Sequence, residues 1–362
     1  MKRLIKKLAI VLLSSLLAMT PVYAIETATT TTNKPNEEKV VLSLAKAIDA
    51  AYTYSLELSN NAAALEQYKA QMDSLSVKGL VNQYQATYYS KLKNEQDKDF
   101  IKDKITYDIT NQYYGMVTQK KAIRLLDEKI ALQQKYMRRA DIQKENGLLD
   151  NLAYQKVKAD LEATKVEKDK AVQTFEQLQK NFEINTNIKP DSYMLEETIE
   201  YTPLEFKGSI EGYATSMAGK LTEYSQKIAE YSNEARIDAL LNGPMVFKSD
   251  LEDAKAGSVQ NVNNIEQAKK SYKQAIIATY TTLLNTEKSI AVAKEQLLIK
   301  EGELAKLDIQ FKAKLVSQLD YDEAVYTKNE LEQKIYDSIV LYNKCKMSFE
   351  KPWVGQVSAL GQ

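Results

Sequence analysis

Histidine is absent from this sequence, and cysteine occurs once, at Cys345. The first absence removes His-based triads, imidazole general bases and His metal ligands. The second leaves no internal disulfide to form, and Cys345, among Tyr342, Met347 and Phe349, reads as a packed thiol. Only 6 prolines and 11 glycines occur in 362 residues, so little interrupts helices and no Gly-rich phosphate loop is present. An excess of one charge is missing too. Lys plus Arg number 49 against 49 Asp plus Glu, which leaves no electrostatic footprint for nucleic acid. Carboxylates without a recognisable pocket are a weak catalytic signal, so neither an enzyme nor a cofactor or metal protein is expected.

What the chain does contain is a duplication. Sliding it against itself by 167 positions sets Tyr113 against Tyr280, Asp141-Ile142-Gln143 against Asp308-Ile309-Gln310, and Leu148 against Leu315. The same shift aligns Leu152 with Leu319, Tyr154 with Tyr321, and Phe182-Glu183 with Phe349-Glu350, without a gap. Sparse identities at corresponding places in two long apolar-periodic segments mark an internal repeat.

In the later copy Ile276, Leu283, Ile290, Leu297, Leu304 and Phe311 recur every seven residues, with Ile277, Leu284, Ala291, Leu298 and Ala305 beside them. That spacing predicts a helix with a broad apolar stripe, supercoiled left-handedly with partners. It runs from about Asn264 to Lys314, on the order of 75 Å at 1.5 Å per residue. The earlier copy keeps the row as Ile109, Met116, Ile123, Ile130 and Met137.

The pattern breaks briefly in both copies. In Gly147-Leu148-Leu149-Asp150-Asn151-Leu152 the glycine can take a left-handed, helix-ending conformation and Asp150 can cap the helix that follows. In Leu315-Val316-Ser317-Gln318-Leu319-Asp320 the cap is Ser317. Return helices pass through Leu161, Phe175, Leu178 and Phe182, and through Leu331, Ile335, Ile339, Tyr342 and Phe349. The predicted fold class is all-α: long antiparallel coiled-coil hairpins in two tandem repeats, with little or no β-structure. At the tips, Leu148, Leu149, Leu315 and Val316 could simply staple the turns.

Phe311-Lys-Ala-Lys-Leu-Val-Ser-Gln-Leu-Asp320, between an outgoing and a returning helix, resembles the tip of the TolC-type outer-membrane efflux protein family. That tip is commonly an aromatic, two residues, Gly-Leu-Val-Ser, one residue, Leu-Asp. Gly147-Leu148-Leu149-Asp150 resembles the tip of the family's other repeat. The opening pattern, Leu42-Ser-Leu-Ala-Lys-Ala-Ile-Asp-Ala-Ala51 followed by Glu57-Leu-Ser59 and Ala62-Ala63-Ala64, is similar to the family's as well. Lys144 and Lys314 stand where the family has its aromatic and its Gly in one copy each, and Ala153 stands where the second copy has Asp320.

The resemblance implies a passive component of an efflux or export channel. Three chains would close a tube, a homotrimer, and work with a periplasmic-type adaptor (membrane fusion protein) and an inner-membrane transporter. It also implies that Gly147, Leu148, Leu149, Asp150, Leu152, Leu315, Val316, Ser317, Leu319 and Asp320 form the ends where adaptor hairpins dock and the entrance closes. The alternative is a non-conducting secreted or cell-envelope coiled-coil scaffold built from the same hairpins.

The rest of the chain fits an extracytoplasmic protein. Lys2, Arg3, Lys6 and Lys7, then the apolar run from Leu8 to Ala18, then Val22-Tyr23-Ala24 read as a signal peptide over 1–24. A polar, Thr-rich leader follows over 25–41. The first repeat spans 42–184, a Pro-punctuated connector with a short extended piece 185–209, the second repeat 210–351 and a tail 352–362. Where TolC-type proteins carry two barrel strands, Ser76 to Thr106 is charged and reads as helix, turn, helix. Leu240 to Lys248 has room for one short strand. A transmembrane strand needs about nine to eleven residues, so barrel strands are not expected. Tyrosine is the compositional outlier at 23 residues. Its clustering on helices is read as interface packing, with a ligand-stacking or membrane-interface belt as the alternative.

Overall fold

The computed structural model describes residues 40–244 and 247–355. The predicted signal peptide and nearly all of the leader lie outside the described residues, as do Met245, Val246 and 356–362.

Among the described residues, five of the seven helices begin where a side chain satisfies a free N–H; the long helices that start after Leu80 and Phe247 do not. Ser43 Oγ accepts from Lys46 N at 3.3 Å and starts α1 (Leu44–Tyr54). Ser55 ends α1 and starts α2 (Leu56–Val77), its Oγ accepting from Leu58 N at 3.1 Å. Gly79, at φ +67°, turns the chain into α3 (Val81–Glu145). The return helix α4 (Asn151–Thr186) ends at Asn187 in the left-handed conformation. The second half repeats the scheme with α5 (Ile210–Leu241), capped by Ser209, then α6 (Lys248–Lys312) and α7 (Gln318–Glu350). α3 and α6 are each 65 residues long and both begin and end 167 positions apart. At 1.5 Å per residue each is roughly 100 Å long.

The repeat governs packing. Ala47 and Ala51 are buried in the first half as Ala214 and Ala218 are in the second, Ile109 as Ile276, Met116 as Leu283, and Phe182 as Phe349. All are 167 positions apart. Small alanines let α1 and the start of α5 approach the long helices closely, while the seven-residue row supplies the large side chains. The α1–α2 break is not repeated. Thr222, the mate of Ser55, lies inside α5 and donates its hydroxyl back to Ala218 O at 2.9 Å.

Towards the tips α4 packs on α3, α3 on α7 and α7 on α6. Towards the other end α2 packs on α3, α3 on α5 and α5 on α6. The two halves are thus rows of helices joined by the long members α3 and α6.

At the junction Val41–Leu42 (β1) and Met194–Leu195 (β2) form a two-stranded parallel sheet. Tyr113 Oη donates to Leu42 O at 2.6 Å and accepts from Glu196 N at 2.7 Å, tying both strands to α3. Tyr342 Oη likewise accepts from Leu204 N at 2.7 Å.

Two readings need adjustment. Val41, taken as the end of the leader, pairs in β1, and the first helix follows at Leu44. The helix expected from Asn264 starts at Lys248, because its early turns pack on α5, with Ala254 buried and Asn233 Nδ2 donating to Ser258 Oγ at 3.2 Å. The possible strand near Met245 and Val246 falls outside the described residues, and Phe247 directly precedes α6. In the tail, Pro352–Gly355 forms a 3-10 turn in which Trp353 stacks on Phe100, centroids 4.6 Å apart, and donates to Asp103 Oδ2 at 2.9 Å. Helix, turn and helix replace strands over Ser76–Thr106, as expected. Among the described residues no helix is long and apolar enough to cross a membrane.

Candidate functional site

Both tips close α-helices with the same hydrogen bonds. At the first, Gly147 N donates to Lys144 O at 3.0 Å and Leu148 N to Gln143 O at 2.8 Å. At the second, Lys314 N donates to Phe311 O at 2.9 Å and Leu315 N to Gln310 O at 2.9 Å. This is the Schellman arrangement, which needs a left-handed residue. Gly147 supplies it at φ +66° and Lys314 at φ +60°. Asp150 Oδ1 then accepts from Ala153 N at 2.8 Å, and Ser317 Oγ from Asp320 N at 3.2 Å. Ser317 also donates to Asp320 Oδ2 at 2.7 Å, a reciprocal contact that Ala153 denies the first tip.

The side chains just behind the turns differ in chemistry and agree in place. In the first tip Lys144 Nζ sits 3.8 Å from the centroid of the Tyr154 ring. In the second, Phe311 stacks on Tyr321 at 4.9 Å. A cation–π contact and an aromatic stack thus fill equivalent positions.

The apolar tip residues divide by exposure. Leu149, Val316 and Leu319 are half-buried against their own hairpins. Leu148, Leu152 and Leu315 are 77%, 81% and 76% exposed. The first turn therefore tucks in Leu149 and leaves Leu148 and Leu152 outward, while the second tucks in Val316 and Leu319 and leaves Leu315 outward.

The two hairpins are tied above the tips by contacts that sequence reasoning missed, because a polar pair between helices leaves no periodic trace. Lys135 Nζ meets Asp322 Oδ2 at 2.5 Å, Tyr136 Oη donates to Glu323 Oε2 at 2.5 Å, and Asn329 Nδ2 to Glu128 Oε2 at 2.9 Å. Partial burial raises Asp322, but hydrogen bonds from Lys135 and Gln318 outweigh it and hold the carboxyl below its usual range. Burial and the Glu323 carboxylate push Tyr136 up to about 12. Nearer the junction, Glu197 of the connector is clamped by Arg124 at 2.6 Å, Lys121 at 3.4 Å and Lys120 at 3.6 Å. Burial opposes ionisation there, and the three cations reverse it.

The row α4–α3–α7–α6 ends in two edges with apolar side chains in water. On α4 these are Leu152, Val166 and Ile184; on α6 they are Val292, Leu298, Ile299 and Ile309. Leu298, which belongs to the second of the two apolar rows on α6, is 71% exposed. Such a stripe has no partner within one chain.

No protein-family model matches the sequence, and no curated protein matches it. Solved structures do share its fold, a tandem pair of long helical hairpins, and they are TolC-family outer-membrane channels. A structure of CusC, described for transmembrane channel formation, is 12% identical, with 86% of this chain and 91% of that chain covered at a TM-score of 0.61. The CmeC outer membrane channel of Campylobacter jejuni is 13% identical, with coverages of 92% and 94% and a TM-score of 0.56. The open state of the MtrE outer membrane channel of Neisseria gonorrhoeae is 12% identical, with coverages of 93% and 98% and a TM-score of 0.57.

Proposed function

We propose that this chain is one protomer of a TolC-like efflux or export channel in the outer part of the cell envelope, passive and non-enzymatic. The observation that carries the reading is the unclosed row α4–α3–α7–α6, with apolar side chains left in water on both of its end helices. Two different edges meeting head to tail make a heterologous contact, and such contacts close into rings where the rotation between copies closes. Three copies would set twelve helices in a tube.

The tips would be the docking ends. Leu148 and Leu315 offer outward apolar knobs to the helical hairpins of an adaptor (membrane fusion protein), which would couple the tube to an inner-membrane transporter. The Lys135–Asp322 and Tyr136–Glu323 ties would hold the two hairpins of a protomer together and narrow the entrance.

The test is a photoreactive side chain at Leu298 of α6. It is expected to join residues of α4 in a second copy. Products confined to one chain would reject the tube.

A further inference from the structure

In the half away from the tips, the four helices α2, α3, α5 and α6 line a partly open cavity of about 540 Å³. It exists because short side chains, Ala64 on α2, Thr222 and Ser225 on α5 and Ala268 on α6, line it together with the large Phe100 and Ile101 of α3. The cleft is partly open to solvent, and its volume falls within the roughly 300–1,000 Å³ of sites that hold small organic molecules.

We propose that this cavity binds one uncharged or singly cationic amphipathic small molecule with an aromatic or short alkyl body and a hydrogen-bonding group. Phe100, Ile101 and Ile265 supply an apolar surface. Tyr272 lines the cavity while only 9% exposed, and its hydroxyl makes no hydrogen bond. A ligand atom in the cleft would give that hydroxyl a partner. Gln96, half-buried, also lacks a side-chain partner, as do Asn60 and Asn264 at the exposed rim.

Charge sets the class of ligand. Lys93 is spent on Asp97 at 2.7 Å, and Glu57 is held only loosely by Lys104 at 3.7 Å. The lining therefore carries a residual negative charge that tolerates a cation and repels an anion.

Placement provides a built-in reporter. Trp353, the one tryptophan of the sequence, stacks on the Phe100 that lines the cavity. The experiment titrates the full chain with the neutral dye N-phenyl-1-naphthylamine, an acceptor of tryptophan emission, and with its anionic relative 8-anilinonaphthalene-1-sulfonate. The neutral dye is expected to saturate at one per chain and to quench Trp353, with the sulfonate about tenfold weaker. Filling the cavity by Ala64→Phe or Ala268→Phe is expected to weaken the neutral dye at least about tenfold. Tyr272→Phe, which keeps the ring and the packing, is expected to weaken it severalfold and keeps the test valid should a filled variant fail to fold. Binding without quenching of Trp353, unchanged affinity in a folded filled variant, unchanged affinity in Tyr272→Phe, or equal binding of the sulfonate would overturn the proposal.

Discussion

Lys314 holds at the second tip the left-handed conformation that Gly147 holds at the first, φ +60° against +66°. For a side-chain-bearing residue that conformation costs about 1–2 kcal/mol, while glycine adopts it freely. A Cβ on Gly147 would meet nothing within 4 Å, so backbone conformation alone decides the effect of substitution. Gly147→Ala should lower unfolding stability by about 1 kcal/mol, and Lys314→Gly should raise it by somewhat less, since glycine also loses more entropy on folding. Urea denaturation of both variants checks the pair, and equal signs would contradict the shared geometry.

Tyr113 and its repeat mate Tyr280 should behave differently. The first ties β1 and the connector to α3 through two hydrogen bonds, whereas Tyr280 packs its ring against Phe206 and Phe349. Tyr113→Phe strands a buried carbonyl and a part-buried N–H and should cost about 1–3 kcal/mol. Tyr280→Phe should stay within about 0.5–1 kcal/mol. Thermal unfolding of the two variants measures the contrast.

The tie between the hairpins should loosen in acid. Asp322 is held below its ordinary value when folded, so its contribution is complete above the unfolded carboxylate pKa of about 3.9 and is lost as pH falls through the lower folded value. Lys135 is 44% exposed on its side chain, so the effect on global stability should not exceed about 0.5–1 kcal/mol. The distance between tips is the sharper readout. Spin labels at Leu148→Cys and Leu315→Cys, with Cys345→Ser, should report a longer and broader separation once pH falls through the lowered Asp322 value, and in Lys135→Ala at neutral pH. Unchanged distances in both conditions would remove the tie from the mechanism.

Much of the fold was legible because it is periodic. The seven-residue row gave α3 and α6, the 167-residue shift gave the second half from the first, and Gly147, Asp150 and Ser317 gave the turns. What was illegible is non-periodic and long-range. The β1–β2 pairing joins two-residue segments 153 positions apart, 41 and 194, and Trp353 reaches Phe100 across most of the chain. The outward leucines of the tips were named in advance. Their division into Leu148 and Leu315 outside and Leu149 and Val316 tucked in depends on the rotation of each turn, which sequence spacing does not specify.

Closure of the tube is the central claim, and the solution mass of the chain over 25–362, by light scattering after size exclusion without detergent, tests it most directly. The account predicts a stable particle of three chains, dissociated when Leu298 and Ile299 on the α6 edge become Glu. A rigid, extended monomer that stays monomeric at high concentration would contradict it.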